Sequence, residues 1–207
     1  DVDSISVGLG DKANPQPGGS GIMYFDDIAL YPERQAPVPK QTNVIFEAEA
    51  ADVIGSSWRT YRDATSSSGT HIGSNNGDGS EGDAAPGADW VLGYNFTAEA
   101  GVYKIVAAVI APTVTDDSFW VRIVGAESQT HEDPDQPGTG WVMFNDIAPG
   151  SQWVWDEVHS SDHDGEVVNW TLAAGNYTLE IGKREDAALI DAILITDDLA
   201  LDAAMLP

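Results

Sequence analysis

V-Y-K-I-V-A-A-V-I, residues 102–110, and N-Y-T-L-E-I, residues 176–181, decide the fold. In the first, Tyr103, Ile105, Ala107 and Val109 fall on one face of an extended chain and Lys104 on the other; in the second, Tyr177, Leu179 and Ile181 oppose Thr178 and Glu180. A period of two with one apolar face is the mark of a half-buried strand, and A-A-G-N at 173–176 supplies the turn before the second stretch. Working outward, short apolar runs at 44–49, 58–62, 89–97, 118–124, 140–145, 153–158, 167–172 and 189–196 recur at the spacing of a sandwich, separated by Gly, Pro, Asn and Asp. No window of about 11 residues or more carries a helical stripe. The expected fold class is therefore all-β, an antiparallel β-sandwich of jelly-roll type over residues 44–197, with 198–207 as a tail or short capping turn.

Ahead of it, residues 1–31 read as two extended stretches, 4–9 and 22–31, around the Gly- and Pro-rich loop D-K-A-N-P-Q-P-G-G-S-G. Two strands alone are marginal in water, so this hairpin is expected to belong to another sheet or to lie on the sandwich. The string S-V-G-L-G-D-K…P-G-G-S-G-I-M-Y-F-D-D-I-A-L-Y-P resembles the closing strands of laminin-G/concanavalin-like domains, which implies a remnant of an upstream module. The stretch at 32–43, with three prolines and no periodicity, reads as a semi-extended linker. The chain opens on Asp1 without a methionine or a signal-peptide pattern, as an internal piece of a longer protein would.

Among 207 residues there is no cysteine, so disulfides, thiolate metal sites and a cysteine nucleophile are excluded. Nine Lys and Arg against 34 Asp and Glu leave a net charge of −25, which repels nucleic acid and anionic membranes alike. Such a surplus is tolerated where salt screens it, which suits a saline, extracellular setting such as that of a marine bacterium, and it attracts divalent cations. Three acidic, glycine-bearing loops, 74–89, 131–140 and 159–166, read as solvated connections, and none has EF-hand spacing.

Some carboxylates fall where a core is expected. In V-I-F-E-A-E-A (44–50), Glu47 and Glu49 are two apart and share a strand face with Ile45. In A-L-I-D-A-I-L-I-T (188–196), Asp191 shares one with Leu189, Ile193 and Ile195. Unpaired, each costs several kcal/mol in a core. With so few basic residues a hard divalent cation compensates them better than salt bridges do; the alternative is that they sit at strand ends in water.

Seven tryptophans are many for so polar a chain. Sugar rings offer apolar C–H faces edged by hydroxyls, so glycan sites pair an exposed aromatic with a few fixed polar groups. Trp153 and Trp155, in G-S-Q-W-V-W-D-E-V, share a strand face directly after a loop. Trp141 opens the preceding strand, G-W-V-M-F-N-D, and the link I-A-P-G-S-Q is short enough for a hairpin that would make the three neighbours, with Asn145 at their flank. Trp90, followed by Val and Leu, is expected in the core; Trp120 and Trp170 are undecided. The loop K-R-E-D-A-A (183–188) places Arg184, Glu185 and Asp186 just ahead of Asp191, where they could meet hydroxyls or an acidic sugar, or orient the loop.

The opening E-A-E strand, A-T-S-S-S-G at 64–69, D-W-V at 89–91, A-G-V-Y at 100–103 and the closing L-I-D-A-I-L-I strand occur in that order. Together they resemble family 6 and family 35 carbohydrate-binding modules. The resemblance implies a non-catalytic module that binds a polysaccharide or oligosaccharide for a covalently linked catalytic domain. It also implies a structural calcium ligated by Glu47, Glu49 and Asp191 with backbone carbonyls. Residues 150–155 loosely match a tryptophan-bearing loop of such modules. The asparagine they often carry two residues before the calcium aspartate is Leu189 here, so that sugar contact does not carry over. Two rival functions remain: a catalytic sandwich drawing on its carboxylates and on His71, His131, His159 and His163, and an adhesive spacer without a glycan site. The sequons at Asn95, Asn169 and Asn176 read as chance occurrences.

Overall fold

The computed structural model describes residues 43–80 and 82–206. The expected hairpin at 1–31 and nearly all of the expected linker lie outside the described residues. Fifteen strands follow in order: β1 (Asn43–Glu47), β2 (Val53–Ile54), β3 (Arg59–Arg62), β4 (Thr70–Gly73), β5 (Val91–Ala98), β6 (Gly101–Ile110), β7 (Phe119–Val124), β8 (Ser128–Gln129), β9 (Val142–Phe144), β10 (Val154–Glu157), β11 (His159–Ser160), β12 (Glu166–Val167), β13 (Trp170–Leu172), β14 (Gly175–Lys183) and β15 (Leu189–Thr196). The larger sheet runs β3-β4-β15-β6-β13-β8, with β1 also paired to β15 and β10 to β6; the smaller runs β2-β5-β14-β7-β9. Every strand pairing is antiparallel, and β11 with β12 forms a separate ribbon. This is the expected antiparallel β-sandwich.

The two sheets close on one core. Ile72, Ile105, Val109, Ile190, Ile193 and Ile195 enter it from the larger sheet, and Leu92, Tyr94, Phe119, Val121, Leu179 and Ile181 from the smaller. Tyr103 and Ala107 join them, as the alternation of β6 requires, while Lys104 points to the opposite face. Each Val, Leu, Ile or Phe side chain among them contributes about 1.5–3 kcal/mol when fully buried.

Several expectations are corrected. The first strand ends at Glu47, and Ala48–Ala50 form a single 3-10 turn, so Glu49 does not share a strand face with Glu47. The reason is packing: Ala48 is buried, and its carbonyl accepts a 2.6 Å hydrogen bond from the Tyr94 hydroxyl, which pulls the chain over the sandwich edge. In β15 the register against β6 slips between Ile190 and Ala192, leaving Asp191 at a bulge. The bulge sends Ile190, with Ile193 and Ile195, into the core in place of the expected Leu189-Asp191-Ile193 set. Trp90 ends a 3-10 turn, Ala88–Trp90, and is only part-buried, with the Lys183 ammonium 4.0 Å above its ring. Trp120 and Trp170 are the fully buried tryptophans.

Trp141 does not neighbour Trp153 and Trp155. The strand that follows it, β9, pairs β7 in the smaller sheet, whereas β10 pairs β6 in the larger, so the link between them crosses from sheet to sheet rather than closing a hairpin. Trp141 is 2% exposed in a small cluster with Val91 and Trp120, under the Arg122 guanidinium 4.2 Å from its ring.

Candidate functional site

The loop between β3 and β4 organises the site. Asp63 accepts the Thr65 backbone N–H at 2.9 Å and its hydroxyl at 2.8 Å, and Gly69, at φ +82°, takes the left-handed conformation that closes the loop by a bond from Asp63 N to Gly69 O. These bonds hold the Asp63 carboxyl below its usual range. Three consecutive serines then reach four different partners. Ser66 Oγ meets His71 Nδ1 at 3.0 Å, Ser67 donates its N–H to Asp191 Oδ2 at 2.8 Å and its hydroxyl to Glu47 Oε2 at 2.6 Å, and Ser68, with Thr70, donates to Glu49 Oε1. The A-T-S-S-S-G stretch is thus the clasp that gathers Glu47, Glu49 and Asp191 around one loop.

Burial raises the Asp191 carboxyl above its ordinary value, bonds from Ser67 work against that, and the charges of Glu47 and Glu49 push it up further. Glu49 moves the other way: burial opposes its charge, but the hydroxyls of Ser68 and Thr70 outweigh it. Glu49 Oε2 and Asp191 Oδ1 are buried oxygens with no hydrogen-bond partner. Such oxygens are of the kind a hard cation takes. Among the described residues no three His, Asp or Glu side chains converge at ligand spacing, and hydroxyls of the loop hold Glu47 and Glu49.

Beside this clasp lies a row of rings. Tyr61 and His71 sit opposite each other in the β3-β4 register and stack with centroids 5.4 Å apart; His71 meets the edge of Trp153 at 5.1 Å. Asn75 accepts the Tyr61 hydroxyl at 2.7 Å. A hollow of about 430 Å³ opens at one end of the row, lined by Tyr61, His71, Asn75, Ala187 and Leu189. Another, of about 540 Å³, opens at the other end, lined by Ser67, Trp153, Trp155, Asp191, Ala203 and Leu206. Both volumes lie in the range of ligand sites. The Trp153 Nε1 is buried without an acceptor.

The remaining expected contacts are elsewhere engaged. Arg184 donates to Ser118 Oγ at 2.9 Å and Asn145 Oδ1 at 3.1 Å and pairs with Asp83 and Glu185. Glu185 accepts the Asp117 N–H at 3.0 Å and the Ser118 hydroxyl at 2.7 Å. Asp186 accepts the N–H groups of Gly77 and Gly79. Together they staple the 74–79, 115–118 and 145–147 loops to the one before Asp191, and Asp117, buried beside Glu185 and Asp146, is pushed up to about 6. Of the expected ligand residues, the structure brings Trp153 and Trp155 to the hollow with Asp191. It places Asn145, Arg184, Glu185 and Asp186 in the loop staple, and Trp141 on the other sheet. Sequence reasoning missed Tyr61 and Asn75, and weighed His71 only for catalysis. Pairing R-T-Y-R at 59–62 with T-H-I-G at 70–73 across the serine loop would have set Tyr61 beside His71.

No family model and no curated protein matches this chain. Among solved structures, the C-terminal family 6 module of a Zobellia galactanivorans laminarinase is similar at 16% identity and a TM-score of 0.45, over 75% of this chain and 99% of that one. A family 35 module from Clostridium thermocellum is similar at 12% identity and a TM-score of 0.45, over 74% and 97%. An exo-β-1,3-galactanase from Phanerochaete chrysosporium, solved with galactose, is similar at 16% identity and a TM-score of 0.47, and the match spans only 29% of its length.

Proposed function

We propose that this chain is a non-catalytic glycan-binding module. The observation that carries the reading is the pair of half-buried rings Tyr61 and Trp153, joined through His71, which is 6% exposed, and flanked by two hollows whose rims hold Asn75, Ser67 and Asp191. Aromatic faces take the C–H faces of a sugar, and the polar rims take its hydroxyls. Trp153 is the central stacking face, its buried N–H is a donor without an acceptor, and Trp155 extends the apolar floor. Arg184, Glu185 and Asp186 act on the ligand by fixing loops, which lowers the ordering cost of binding.

Calcium belongs to this reading as a stabiliser. Glu47, Glu49 and Asp191 would hold it, and bound there it would supply the positive charge that the gathered carboxylates lack. The same reading makes the chain part of an extracellular bacterial protein in saline surroundings, whose linked catalytic domain acts on the polysaccharide held here. A glycan array probed with and without calcium tests it: selective binding that weakens on chelation is expected, and an array blank under both conditions overturns it. The affinity expected of so open a site is about micromolar to millimolar.

A further inference from the structure

The residues after β15 do not trail into solvent. Asp198 and Asp202 cap two successive turns, accepting N–H groups from Ala200 at 3.1 Å and Ala204 at 3.0 Å, and Ala203–Met205 form a 3-10 turn. The segment lies on the outer face of the larger sheet, where Ala203, Leu201 and Leu206 pack with Val106, Leu194 and Trp155. Lys104 tethers it from below: its ammonium, on a residue 2% exposed, donates to the carbonyls of Leu199 at 3.2 Å and Leu201 at 2.5 Å and pairs with Glu157. A buried ammonium costs several kcal/mol unless its protons are all satisfied, and here the segment's own carbonyls take part in satisfying them.

The tethered turn is also a wall. Ala203, Ala204 and Leu206 close one side of the 540 Å³ hollow whose floor is Trp153, Trp155 and Ala108. We infer, on the reading that this face binds glycan, that the wall makes the hollow a closed end, so that the module takes the terminus of a glycan chain and not its interior. A chain that enters the hollow past Trp153 meets Ala203, Ala204 and Leu206 at its border, whereas an internal segment would need both ends of the hollow open.

The test is stoichiometry against chain length. Size-fractionated β-1,3-glucan, cello-oligosaccharides, β-1,4-mannan and β-1,3-galactan, from trisaccharide to polymer, are titrated calorimetrically into the intact chain. Modules bound per glycan chain should stay constant as the chain lengthens. A variant ending at Asp202 keeps the Leu199 and Leu201 carbonyls for Lys104 but removes the wall, and its ratio should rise several-fold on the polymers. Leu206→Gly, which trims the wall and leaves the backbone, should shift in the same direction and serves if the shortened chain does not fold. A ratio that grows with length in the intact chain, or one that neither variant alters, overturns the closed end while leaving glycan binding in place. Failure to bind any of the four sugars overturns both.

Discussion

Ser67 holds Asp191 across 124 positions of sequence, its backbone N–H 2.8 Å from Asp191 Oδ2 while its hydroxyl holds Glu47. The bond sets a bulged strand, a loop and the first strand in one arrangement, and it leaves Asp191 Oδ1 turned away and unbonded. That free oxygen, close to two further carboxylates, is where added cations should act.

Chelation should therefore destabilise the chain. A ligand bound only by the folded form stabilises by about 2.7 kcal/mol at 100 times its Kd. EDTA should lower Tm and calcium should restore it in a thermal scan, with Asp191→Asn abolishing the response. An unchanged Tm in all cases would show that the clasp closes without metal.

Trp153→Ala should remove most glycan binding and leave the fold intact, because Trp153 lies part-exposed at the hollow. Trp120→Ala, at 0% exposure, should cost about 3–5 kcal/mol. Trp90→Ala should cost less than Trp120→Ala, since Trp90 stands outside the core under Lys183. Urea melts together with the array resolve the three.

Asp117 sets a pH dependence. Its folded carboxyl binds a proton up to about 6, above its ordinary value near 3.8 in the unfolded chain, because burial and then Glu185 disfavour its charge. The folded state holds more protons in that window, so stability falls as pH rises from about 4 to 6. Asp117→Asn should flatten this part of the profile in denaturant melts at stepped pH. A slope of the opposite sign would show that Arg184 dominates the group.

Lys104→Met should free the C-terminal segment without opening the core, since Lys104 lies on the outer face of β6 with Glu157 and the carbonyls of Leu199 and Leu201. Leaving Glu157 without its partner should cost about 3–5 kcal/mol at most, less as water reaches the carboxylate. Limited proteolysis should then cut within 197–206, sites protected in the parent chain.

Sequence by itself determined the sandwich and much of its inventory. Alternation in 102–110 and 176–181 specifies which face of β6 and β14 is buried, because side chains of a strand alternate whatever lies around them. It also singled out Asp191, since a carboxylate among apolar residues must be compensated wherever the chain places it, whereas the face that Glu47 shares with Ile45 turns to solvent, Ile45 being 67% exposed. Tertiary structure alone decided where the faces break and which residues meet. The bulge at Asp191 and the turn at Ala48 each change the phase of a strand, and a change of phase depends on what packs against it, not on the local pattern. Likewise Trp141 and Trp153 are twelve positions apart but lead into strands of different sheets, while Tyr61, His71 and Trp153 come from three separate segments to make one row. Contacts between sheets depend on the register and order of strands, which no single stretch of residues carries, so the site became visible only when the strands were paired.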